Sequence, residues 1–164
     1  MKKGMDDIKQ FKSLDDLREI VSELEGIMAR PVKRGAHATL YPDVKDGEYR
    51  TVCGVRVVDY ILSNDEKWVL PHNQKGLSFS GNWKEIKRVY RMFSRGKNKQ
   101  VDVHWVIEGA DLPPGMAFIE DQNPKKKGHY FLTVTERMPL YKLVSNLKWV
   151  ADRMSIIENV GELL

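Results

Sequence analysis

The chain has almost no cysteine. Cys53 stands alone among 164 residues, which excludes an internal disulfide and a cysteine-cluster zinc site. A lone thiol reads as a small core residue of a protein made in a reducing cytosol. No apolar run approaches the roughly 20 residues that span a bilayer, so no membrane segment is expected. The start, Met1-Lys2-Lys3-Gly4-Met5-Asp6-Asp7, has lysines with no apolar stretch behind them, which argues against a secretory signal. Histidine is scarce as well. His37, His72, His104 and His129 show no i, i+4 pair of the kind that grips a metal on a helix, and no metal is expected. There is no Gly-rich loop with a lysine for phosphate and no dinucleotide fingerprint. The segment around Ser78 lacks the second glycine of a nucleophile elbow. Repeats and low-complexity tracts are absent. What the chain does have is 41% apolar and 30% charged residues, the balance of one soluble globular domain with a proper core. Its net charge of +4 favours an anionic partner only weakly, so the distribution of charge matters more than its sum.

Taken in order, Ser13-Leu14-Asp15-Asp16 is a helix start, and Leu14, Leu17, Ile20, Val21, Leu24, Ile27 and Met28 keep helical spacing up to Pro31. After an irregular stretch, a strand is expected from Glu48 to Val58 with a bulge at Gly54. A short strand follows at Trp68–Leu70. The segment Lys75-Gly76-Leu77-Ser78-Phe79-Ser80-Gly81 then alternates, placing Ser78 and Ser80 on one side and Leu77 and Phe79 on the other. Asn82 and Glu85 form a capping pair for a helix whose buried side is Trp83, Ile86, Val89, Tyr90 and Phe93, with Gly96 as its C-terminal cap. Val101–Ile107, Met116–Ile119 and His129–Thr135 read as strands. Pro139 suits the first turn of a last helix with the stripe Leu140, Leu143, Val144, Leu147, Val150, Ala151, Met154 and Ile157. The order predicts an α+β fold with a mixed or mostly antiparallel sheet flanked by helices. Residues 1–45 form a helical extension in this reading and residues 46–164 the functional domain.

Two surfaces suggest function. Lys84, Lys87, Arg88, Arg91, Arg95, Lys97 and Lys99 face a single acid, Glu85, and Lys125-Lys126-Lys127 follows in a loop. A charge run of this kind is a solvated face or an anion-facing surface for phosphates or nucleic acid. The second is a constellation of Arg50, the serine pair Ser78 and Ser80, and His129 at the start of the strongest late strand.

Gly109-Ala110-Asp111-Leu112-Pro113-Pro114, then His129-Tyr130, then Met138-Pro139-Leu140-Tyr141, resembles in order a signature of the Tse-two-like type VI secretion effector toxins, a family of ADP-ribosyltransferase-like fold. Pro71 through Gly76-Leu77-Ser78 and the segment Glu48-Tyr49-Arg50-Thr51-Val52 extend the likeness over roughly residues 48–157. The resemblance implies a split sheet with a cleft for NAD and an interbacterial toxin acting in the cytosol. It implies transfer of ADP-ribose to a target macromolecule or cleavage of NAD, and an acidic immunity protein or antitoxin as partner. Carried across, Arg50 binds the dinucleotide phosphates, with Arg34 and His37 as alternatives. Gly76, Leu77, Ser78, Ser80 and Tyr130 shape the nicotinamide-ribose side, and His129 takes the place usually held by a glutamate. Glu136, on the same strand run, matches no motif residue.

Overall fold

The computed structural model of the protein describes residues 27–93, 101–107 and 112–157. Among these residues, eleven strands and two helices make an α+β domain whose strand pairings are all antiparallel. The main sheet has six strands in the order β11-β7-β1-β6-β9-β8. Its members are β1 (Ile27–Lys33), β6 (Leu77–Ser80), β7 (Val101–Ile107), β8 (Met116–Glu120), β9 (His129–Val134) and β11 (Ser155–Ile157). A smaller sheet joins β4 (Ile61–Leu62), β5 (Trp68–Leu70) and β10 (Met138–Pro139), and β2 (Thr51–Val52) pairs with β3 (Val55–Arg56) as a hairpin. The helices are α1 (Trp83–Phe93) and α2 (Leu140–Arg153).

The first expected helix runs mostly through residues 1–26, outside the described residues. Its last two positions, Ile27 and Met28, instead open β1, which lies between β7 and β6. Ile27 to Val32 is buried at every position, as a strand covered on both faces requires. The boundary expected at residue 45 therefore does not divide the fold, because β1 is central to it. Pro31 is unusual in a central strand, since it has no N–H for a ladder. The register of β1 with β7 runs unbroken from Ile27 to Lys33, whereas β1 meets β6 at Ala29 and Ser80 alone. The missing amide thus falls on the β6 side, and there the sheet parts.

Alternation sorts the rest. Leu77 and Phe79 face the main core with Met28, Phe118, Leu132 and Val134, and α2 contributes Leu140, Leu143, Leu147 and Val150 to the same cluster. The serines of β6 and the odd-numbered residues of β9 face the other way, toward the side where α1 lies across β1, β6 and β7. The Asn82 side chain caps α1 as expected, its Oδ1 accepting the Glu85 N–H at 2.9 Å. Ile86 and Tyr90 are buried, but Phe93 is exposed, and the expected cap at Gly96 lies outside the described residues. Helix α2 stops at Arg153. Met154 is extended, and Ser155–Ile157 pairs along the edge of β7, so the last two positions of the expected stripe lie beyond the helix. The strand expected from Glu48 to Val58 is broken by a two-residue turn. Cys53 (φ 53°) and Gly54 (φ 87°) both take positive φ, the conformation of a tight hairpin, so Gly54 makes a turn and no bulge. Cys53 is exposed at this tip and is not a core residue.

Candidate functional site

Where β1 and β6 part, a cavity of about 420 Å³ opens, within the size range of small-ligand sites. Consecutive residues of one strand, Ser78, Phe79 and Ser80, line it, and so do Arg30 and Pro31. Neighbouring strand residues point to opposite faces, so a hollow touches all of them only where the sheet is open. Val89, Met92 and Phe93 of α1 form an apolar lip, which explains the exposure of Met92 and Phe93.

The cavity brings together three of the residues expected from sequence. Ser78 is exposed into it, Ser80 is buried beside it, and His129 lies directly across the ladder from Ser80. The others fall elsewhere. Arg50 does not line the hollow; it pairs with Glu66 at 2.6 Å on the surface. Arg34 forks onto Asp102 with contacts of 2.6 and 3.2 Å, and the Nδ1 of exposed His37 accepts the amides of Thr39 and Leu40. Leu77 is buried in the core on the far face of β6, and Tyr130 is on that face as the cross-strand partner of Phe79. Gly76 has φ +153° and sits so close to the Leu132 backbone that a Cβ has no room. It sets the path of β6 and does not line this hollow. Glu136 is exposed in the turn before β10 and does not reach the site.

The cation that does face the hollow is Arg30, which the helical reading of Ile27 and Met28 concealed. It is 9% exposed. One terminal nitrogen donates to the Ser78 carbonyl at 2.9 Å, the other to the Tyr41 hydroxyl at 3.1 Å, and the guanidinium lies 5.7 Å from the centre of the Phe79 ring. Its Nε is buried without a partner, and among the described residues no carboxylate lies within ion-pair distance. A buried, always-charged group with spare donors is costly unless an anion completes it. Its one legible signal was its isolation, a single cation inside the apolar run Ile27–Val32.

Around Arg30 stand further charges. Arg56 is stacked on Tyr41, 3.6 Å from the ring centre, and on Tyr49 at 5.0 Å. Arg88 is held by Glu85 through two contacts, and Lys126 enters from the loop before β9. Asp59 also lines the hollow and accepts no hydrogen bond from the described residues. Burial pushes its carboxyl above the usual carboxylate range, although Arg56, Arg30 and Lys75 pull the other way.

His129 is braced. Its Nδ1 lies 2.8 Å from Asp121 Oδ2, with both side chains about one-tenth exposed. The other carboxylate oxygen accepts the Asn123 amide at 2.9 Å, and the Asp121 amide donates to the His129 carbonyl at 2.8 Å. Burial raises the Asp121 carboxyl, but the Asn123 amide, the His129 ring and Lys126 together hold it below its ordinary range. The imidazole also meets the Phe131 ring edge to face at 4.8 Å. Among the described residues no cluster of three or more His, Cys, Asp or Glu is arranged to hold a metal ion, and no helix is long and apolar enough to cross a membrane. Comparison of the chain with protein families, curated proteins and solved structures returned no match.

Proposed function

We propose that this protein is a toxin with an ADP-ribosyltransferase-like site, acting in the cytosol of a target bacterium and consuming NAD as a substrate. The observation that carries the reading is Arg30: a buried guanidinium with no ion-pair partner among the described residues, set in a hollow beside Ser78, Ser80 and His129. Arg30 binds the dinucleotide phosphates, the role first given to Arg50, because its planar donors match phosphate oxygens and its site is already desolvated. Ser78 offers an exposed hydroxyl to the nicotinamide-ribose side. The dinucleotide supplies an activated ribosyl carbon with nicotinamide as leaving group, so holding and polarising it is most of the catalytic task. A target macromolecule or water then receives the ADP-ribose.

The test is a titration of NAD against the purified chain. Arg30→Lys keeps the charge and loses the fork, and is expected to weaken binding about tenfold, equal to about 1.4 kcal/mol. Expression of the unaltered chain is expected to arrest growth, and Ser78→Ala and His129→Ala are expected to relieve that arrest. Wild-type affinity in the Arg30 variant, together with full toxicity in the other two, defeats the site assignment.

A second reading rests on the exposed cations Lys84, Arg88, Arg91 and Lys125–Lys127, some of which reach the rim of the hollow. They suit a nucleic-acid ligand, or an acidic immunity protein docked over the cleft. Retention of an oligonucleotide with steep salt dependence, unchanged by Ser78→Ala, would make binding without catalysis the better account.

A further inference from the structure

The proposed reaction expels nicotinamide and must also take a proton from the incoming acceptor. We infer that His129, positioned by Asp121, is a general base whose Nε2 takes that proton, and hence that the acceptor is an O–H nucleophile, either water or an alcohol-type hydroxyl. This rests on the NAD reading and assigns the acceptor class at that same site.

The geometry supports it in three steps. Asp121 and His129 close the two ends of one loop, between β8 and β9, and three backbone bonds clamp that loop: Asp121 N–H to His129 carbonyl at 2.8 Å, His129 N–H to Lys126 carbonyl at 3.1 Å and Lys126 N–H to Asn123 carbonyl at 2.9 Å. The carboxylate is then pinned at both oxygens, by the Asn123 amide and by Nδ1 of the ring. A carboxylate facing Nδ1 retains the proton there and leaves Nε2 as the basic nitrogen. Nε2 has no partner among the described residues, and the ring lines the hollow. An oriented imidazole beside a bound electrophile is the arrangement general-base catalysis needs. The charged groups that line the hollow with the ring are Asp121 and Lys126 from the loop, Arg88 from α1, and Arg30, Arg56 and Asp59.

The step balances without an oxidant or a reductant. The bond between the ribosyl C1′ and the pyridinium nitrogen breaks, its electron pair goes to that nitrogen, and neutral nicotinamide leaves. The acceptor oxygen bonds to C1′ as its proton passes to Nε2 of His129 and then to solvent. Asp121 is a positioning residue and touches neither reactant.

Two measurements on the full chain test the inference. Nitrogen-15 NMR of the histidine rings is expected to show His129 protonated at Nδ1 near pH 8, and an altered tautomer in Asp121→Asn. For NAD consumption, Asp121→Asn is expected to lower kcat about 10²- to 10⁴-fold with little change in KM. With methanol as the probe acceptor, the wild type should yield the methyl glycoside of ADP-ribose in competition with free ADP-ribose. A wild-type ring protonated at Nε2, or an unchanged kcat in a folded Asp121→Asn, overturns the dyad. If NAD is bound and cleaved while either result holds, the functional reading survives and only this inference fails. If no NAD binds, the functional reading fails while the tautomer still decides the pairing.

Discussion

Asp59 and Asp121 are two carboxyl groups on one hollow, driven in opposite directions by their surroundings. Asp59 is desolvated and accepts no hydrogen bond from the described residues. Its folded-state proton affinity is raised, so its contribution to stability is present at low pH and lost as pH rises through the raised value. Asn mimics the protonated acid at every pH. Asp59→Asn is therefore expected to raise the melting temperature by about 1–3 °C at pH 7–8 and to leave it unchanged near pH 3. Calorimetry at the two pH values checks this, and equal shifts at both would show that burial does not govern the group. Asp121 carries the opposite sign. Its proton affinity is depressed by partners that exist only in the folded chain, so the stability it adds is present at neutral pH and lost as pH falls through the depressed value. The same side chain that orients His129 thus makes the fold more sensitive to acid.

Much of the element plan was legible in the sequence. The Ser78/Ser80 alternation, the Asn82 cap, the strands at 101–107, 116–120 and 129–134, and the Leu140–Val150 stripe all appear where local pattern places them. The misses share a physical cause. Ile27 and Met28 continue the helical spacing of the residues before them, and only their pairing with β7 makes them strand. This hid Arg30 from view. The Asp121–His129 pair depends on how an eight-residue interval folds back on itself, which no periodicity reports. Glu48–Val58 has strand composition throughout, and its turn is disguised because Cys53 occupies a position that favours Asn or Gly. That misfit yields a prediction. Cys53→Asn creates an Asn-Gly turn of the type the hairpin already adopts and is expected to stabilise the chain by about 0.5–1 kcal/mol. A denaturant midpoint that stays put or falls would show that the positive φ at Cys53 carries no strain.

At the scale of the whole molecule, a two-faced sheet holds one hydrophobic core beneath α2 and leaves a seam beneath α1, and the seam is where the charged chemistry gathers. The seam follows from Pro31. An imino acid in the middle of a sheet withholds the one donor that lets neighbouring strands zip together, and a guanidinium has moved in to bond the orphaned Ser78 carbonyl in its place. If the proposed site is correct, stability and NAD binding are set against each other at this one position. Pro31→Val supplies the absent amide and a side chain suited to β structure. It is expected to raise the melting temperature while abolishing uptake of NAD, and a variant that gains heat resistance yet still binds would break that link. The gap that opens at this proline, with Arg30 bonded to the Ser78 carbonyl at its edge, is the space on which the proposed NAD site depends.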